Sequence, residues 1–136
     1  MLRLRILHLA DAQEWSDAVA AGRYEVSSRG RSLADEGFIH ASTSVQAAEV
    51  LDRYYDDYDA DQLQVLVLDV GLLEAAGSPV RWDEVELAPG RTERFPHIYG
   101  PIPPSAAVAV LWMGGVTNDL ELPDLTGLDV ATSAPT

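Results

Sequence analysis

The segment Gly37-Phe38-Ile39-His40-Ala41-Ser42-Thr43 joins three local signals in one short run. A glycine releases the chain from a charged loop, Phe38 and Ile39 enter a strand bound for the interior, and His40 ends it. Thr43-Ser44-Val45-Gln46 then has the spacing of a capping box, a hydroxyl followed three residues on by Gln. Ala47, Val50, Leu51, Tyr54 and Tyr58 recur at three- and four-residue steps, the period of a helix with one buried face. Strand, histidine and capped helix in succession predict a mixed α/β domain. An imidazole beside the free N–H groups of a helix start is a candidate anion or ligand site.

Before this segment, Leu4 to Leu9 reads as a first, mostly buried strand. Asp11 caps a helix carrying Trp15, Ala18 and Val19 on its inner face and stopped by Gly22. Residues 23–36, rich in Ser and Arg without hydrophobic periodicity, read as a long exposed loop whose arginines are solvated or reach over a pocket. After it, Gln64 to Val70 is apolar on both faces and reads as a central strand. Gly71 to Ala76 is a short helical turn, Val80-Arg81-Trp82 is strand-like, and Glu84 to Leu87 resumes the alternation. Ala88 to Arg94 reads as a polar turn, Phe95 to Gly100 as a proline-punctuated segment, and Ala106 to Met113 as a last buried strand. The reading is therefore a single domain over residues 1–117. An acidic, flexible C-terminal tail over 118–136 follows, docked only where Leu120 or Leu122 touches the body.

The 136 residues suit one domain with its own core. The absence of cysteine excludes disulfides, thiolate metal sites and cysteine nucleophiles. Nine basic residues, all arginine, against 22 acidic ones give a formal charge of -13, which argues against a nucleic acid partner. No apolar run approaches the roughly 20 residues of a membrane helix, and Met1 to Arg5 has no signal-peptide pattern, so a cytoplasmic protein without a membrane partner is expected.

The chemistry falls on few residues. His8, His40 and His97 all lie in apolar contexts near strand ends. Each taken alone reads as a packed core histidine, and convergence of two or more would make a site. None stands in a metal-ligand spacing to another, so no metal is expected. Ser42 and Ser44 lack a nucleophile-elbow context, and Ser42-Thr43 reads better as a helix cap. Tyr99 beside His97 either presents a phenol to a ligand or packs under the proline loop. Trp82, Asp83 and Glu84 place an aromatic and two carboxylates after a strand, where solvated acids are the commoner outcome.

The ordered set of His8, Trp15, Gly22-Arg23-Tyr24, Gly37 to Thr43 with Gln46, a strand ending at Asp69, Arg81-Trp82, and Phe95-Pro96-His97-Ile98-Tyr99-Gly100-Pro101-Ile102-Pro103 resembles a small bacterial family, domain of unknown function 952. The resemblance spans residues 4–113. That family is grouped by fold with the ADP-ribosyltransferases, so the resemblance implies an α+β fold of two small packed mixed or antiparallel sheets flanked by about two main helices. It further implies a cleft for NAD or a small nucleotide-like ligand, with His8 and His40 as the candidate catalytic residues, by analogy with RNA 2′-phosphotransferases. Ser42, Thr43, His97, Tyr99, Arg81 and Trp82 are then candidate ligand-binding residues. No late catalytic glutamate of the protein-modifying transferases is matched. The expectation is a nucleotide- or NAD-binding transferase, with a non-catalytic binding module using the same cleft as the alternative.

Overall fold

The computed structural model describes residues 4–135; Met1 to Arg3 and Thr136, at the ends of the expected domain and tail, lie outside the described residues. Two three-stranded antiparallel sheets make the body. The first holds β1 (Arg5–Asp11), β5 (Leu63–Asp69) and β8 (Ala107–Trp112), in the order β1-β5-β8. The second holds β4 (Ile39–His40), β7 (Arg91–Ile98) and β6 (Val80–Ala88), in the order β4-β7-β6. The main helices are α1 (Ala12–Ala21) and α3 (Ser44–Tyr54), with two short ones, α2 (Leu33–Glu36) and α4 (Val70–Ala75). Small hairpins are formed by β2 (Val26–Ser28) with β3 (Arg31–Ser32) and by β9 (Gly114–Val116) with β10 (Asp119–Glu121). The fold is α+β with antiparallel sheets.

An antiparallel sheet usually alternates apolar and polar residues, because one face meets water. The first sheet does not, and both its faces are covered. Ile6, Ala10, Leu66 and Leu68 belong to one core cluster with Trp15, Tyr24, Ile39 and Ile98. Leu7, Leu9, Val65 and Val67 point the other way, onto Ala47 and Leu51 of α3 and Tyr55 at its end. This explains the unbroken apolar runs of β1 and β5. It also confirms β5 as the middle strand.

The local signals act where they were read. The Asp11 carboxylate accepts from Gln13 N–H at 2.9 Å and Glu14 N–H at 3.1 Å, starting α1. Thr43 and Gln46 form a reciprocal capping box, both bonds at 3.1 Å, starting α3. Gly37 ends α2 at φ 85°, a conformation L side chains rarely adopt.

Elsewhere the structure differs from the sequence expectations. Residues 23–36 are not an open loop. Tyr24 and Ser27 are buried, the β2–β3 hairpin turns at Gly30, and Ser32 caps α2 with Asp35. These partners are distant ones, Ile102 for Tyr24 and the Phe38 carbonyl for Ser27, so periodicity does not reveal them. The polar turn shrinks to Pro89-Gly90, because β6 and β7 pair from Val80↔Ile98 to Ala88↔Arg91, with a register shift between Glu86 and Ala88. Pro96 lies inside β7 and, although it has no N–H, gives its carbonyl to Ala41 N–H at 3.1 Å. β8 is an edge strand rather than a buried one, with Val108 39% and Trp112 53% exposed.

Past Val116 the chain continues along the body. Leu120 and Leu122 pack against the second cluster, and Leu125, Leu128 and Val130 join them. Val130 bridges Arg5 in parallel, and Ala131 N–H donates to Arg5 O at 2.9 Å. No helix among the described residues is long and apolar enough to cross a membrane.

Candidate functional site

The two sheets are stitched together at one point. Leu7 of β1 and Ser42, just after β4, exchange both main-chain hydrogen bonds, each at 2.8 Å. In a continuing antiparallel ladder the next such pair would be Leu9 and His40, with Leu9 N–H donating to the His40 carbonyl. The His8 side chain takes that carbonyl instead, its Nδ1 lying 2.5 Å from His40 O. A carbonyl only accepts, so Nδ1 carries the proton. The other nitrogen, Nε2, then accepts from the Tyr24 hydroxyl at 2.8 Å. Burial holds His8 neutral, lowering its pKa to about 4, and likewise keeps the Tyr24 phenol protonated.

Beyond this stitch the strands part and leave a cavity of about 460 Å³. Its walls are largely apolar, formed by Leu9, Val50, Tyr55, Val85, Leu87 and Phe95, with Ser42 beside them. His8, His40 and His97 all border it, and Arg29 and Arg31 of the β2–β3 hairpin stand with them. Arg29 pairs with Asp57, donates to Tyr54 O at 3.2 Å, and lies 4.6 Å over the Tyr58 ring. It thereby ties the hairpin to the end of α3.

Register assembles the polar edge. His40 and His97 are direct partners across β4 and β7, and their rings meet edge-on with centroids 5.3 Å apart. Phe38 stacks on His97 at 4.0 Å and meets His40 at 4.9 Å, so the three rings fix one another. His97 Nδ1 lies 2.8 Å from Asp83 Oδ2, and the Tyr99 hydroxyl donates to the same oxygen. The Tyr99 bond, followed by the His97 bond, keeps the Asp83 carboxyl below its ordinary pKa, and that bond raises the Tyr99 phenol. His97 Nε2 is buried and has no hydrogen-bond partner among the described residues. The His40 pKa is lowered, by burial first and then by His97, with Glu36 opposing at 4.0 Å.

The expected site residues thus divide. His8, His40, His97 and Ser42 share the cavity. His8 has both ring nitrogens engaged within the protein, which gives it the geometry of a brace rather than of a catalytic group. Thr43 is buried as the α3 cap and lies outside the cavity lining. Tyr99 and Arg81 also lie outside it, with the Arg81 guanidinium 5.6 Å from the Tyr99 ring; Tyr99 touches the site through Asp83 and Phe38, and Arg81 pairs with His97 across β6 and β7. Trp82 packs against the first core cluster, because strand alternation sends it to the other face from Asp83. Two of the N–H groups offered to an anion at the start of α3 are taken: Ser44 N–H donates to Ala131 O at 2.9 Å and Gln46 N–H to Thr43. Asp83, expected as a solvated strand-end acid, joins the site instead. Its carboxylate was visible after Trp82, but its pairing with His97 depends on β6–β7 register. No group of three or more His, Cys, Asp or Glu suited to a metal ion occurs among the described residues.

The sequence matches the family described as protein of unknown function, DUF952, over residues 9–110. The chain belongs to this family. The DUF952 span takes in Tyr24, His40, Asp83, His97 and Tyr99 and begins one residue after His8. The crystal structure of protein CC0527 from Caulobacter crescentus is similar, with 26% identity, a TM-score of 0.68, and coverage of 89% of this chain and 94% of that one. A double mutant of the same Caulobacter protein aligns with 25% identity, the same TM-score of 0.68 and the same coverage. Among curated proteins, none matches the sequence.

Proposed function

We propose that the cavity between the sheets is the ligand site of a small cytoplasmic enzyme, and that its ligand is a nucleotide-like molecule such as NAD or a part of it. In this reading the fold is ADP-ribosyltransferase-like and the reaction a transfer, by analogy with RNA 2′-phosphotransferases. The observation that carries it is the pairing of His40 with His97 at the edge of an apolar cavity of about 460 Å³. That volume lies inside the range of about 300–1,000 Å³ usual for small-molecule sites, which combine apolar walls with a few convergent polar groups. An aromatic base suits the walls around Leu87 and Phe95. His40 meets a ribose hydroxyl or phosphate, and Arg29 and Arg31, the loop arginines that reach the cavity, offset phosphate charge rather than Arg81.

The alternative, a binding module without turnover, is favoured by one observation: His8, the expected second catalytic histidine, is fully engaged inside the protein. One experiment separates the readings. NAD, ADP-ribose and AMP are titrated calorimetrically into the folded protein, and each mixture is then assayed for product. Heat with turnover supports the enzyme, and heat without turnover supports the module. No heat with any of the three rejects a nucleotide-like ligand.

A further inference from the structure

His40 is not the only histidine at the cavity edge, and His97 offers a ring nitrogen of its own. The inference rests on the cavity being a ligand site, and begins from Asp83. The Asp83 carboxylate is an acceptor only, and its Oδ2 receives the Tyr99 hydroxyl and His97 Nδ1. The Nδ1 atom therefore carries a ring proton, and where it is the only one Nε2 is left as a lone pair. This lone pair is buried, on a side chain only 5% exposed, and no described residue satisfies it. Buried polar atoms are nearly always paired, so an orphan on a residue that borders the cavity marks a place where a ligand at that edge finds an acceptor. His8 provides the internal contrast, since its two nitrogens are both satisfied. Nor can His97 escape by turning, because Phe38 stacks on its face at 4.0 Å and His40 meets it edge-on.

We propose that His97 is the ligand acceptor of this cavity, its Nε2 taking a hydrogen bond from an O–H group on a ligand with an aromatic or apolar body. The proton stays on the ligand oxygen, and the ring keeps its Nδ1–H toward the Asp83 carboxylate at 2.8 Å. Asp83 and Tyr99 are positioning residues that fix the tautomer and ring angle. In a nucleotide-like ligand the donor is a ribose hydroxyl.

Long-range ¹H–¹⁵N NMR of the histidine rings, on the full chain, tests this with phenol and adenosine as probes. The free protein is expected to show His97 protonated on Nδ1, and each probe is expected to move its Nε2 resonance together with the Val85 and Leu87 methyls. Asp83→Asn is expected to move the proton to Nε2 and weaken phenol at least tenfold, with the methyl spectrum of a folded protein retained. If Asp83→Asn fails to fold, Tyr99→Phe replaces it, with a smaller weakening expected and the tautomer kept. A free protein protonated on Nε2 overturns the proposal. Probes that move the methyls but not Nε2 overturn it while leaving the cavity a ligand site. Phenol binding without adenosine supports it and rejects the nucleotide reading, and no response to either probe rejects both.

Discussion

His8 donates its Nδ1–H to the main-chain oxygen of His40, and this bond of 2.5 Å stands where the backbone ladder between the two sheets stops. A side chain thus replaces the main-chain bond that Leu9 would have made. The strands separate without leaving that carbonyl unpaired, and the cavity opens beyond them. The Tyr24 hydroxyl on the far nitrogen completes the brace.

Removing the brace partner should cost stability. Tyr24→Phe keeps the packing but leaves His8 Nε2 buried without a donor, a loss of about 1–3 kcal/mol. Urea denaturation of the variant against the parent protein measures it, with an unchanged fold by circular dichroism.

Acid should weaken the fold through the same histidine. The folded pKa of His8 is about 4 against an ordinary value of 6.5, so between these values the unfolded chain binds more protons than the folded one. Its contribution is therefore fully present above pH 6.5 and is lost as pH falls toward 4. The depressed His40 adds to the loss with the same sign. Linkage puts the His8 part at on the order of 3 kcal/mol. Denaturant melts at pH 7 and pH 5 should show a smaller stability difference in His8→Asn than in the parent.

Gly100 should not tolerate a side chain. A Cβ there would lie 2.5 Å from Ser78 Oγ and 3.0 Å from Ser78 Cα, while Ser78 Oγ is itself held by Pro101 O at 2.6 Å. Gly100→Ala should destabilise by about 1–3 kcal/mol, read as a lowered denaturation midpoint with an unchanged slope.

The Arg29 clamp should matter more to local motion than to global stability. Its partner Asp57 is 58% exposed and Arg29 itself 45%, so the ion pair contributes about 0–1 kcal/mol. Arg29→Ala should barely shift the denaturation midpoint, yet speed amide hydrogen exchange around Tyr55 and Tyr58, where the hairpin is tied to the end of α3.

Deleting residues 123–136 should be costly for a segment so acidic. Leu125, Leu128 and Val130 cover the second core cluster, and Ala131 accepts the Ser44 N–H at the start of α3. Partial burial of three such side chains corresponds to roughly 2–4 kcal/mol. Denaturant melts of the shortened chain check it, and an unchanged midpoint would show that the segment only rests on the surface.

What the sequence determined by itself was whatever depends on neighbours along the chain. The caps at Asp11 and Thr43 bind N–H groups two or three residues away, so their residue types announce them. The apolar run of β5 marked the middle strand, because burial on both faces leaves no polar alternation. The convergence of His8, His40 and His97 was only a possibility in the sequence. Tertiary structure decided it, and decided their unequal standing too. Asp83 and His97 meet across 14 residues because β6 and β7 pair in one register, and a shift of one residue would send Asp83 to the opposite face. The same dependence on distant partners hid the burial of Tyr24 and Ser27 and the docking of Leu125, Leu128 and Val130. Each of these contacts is made between segments that only the fold brings together.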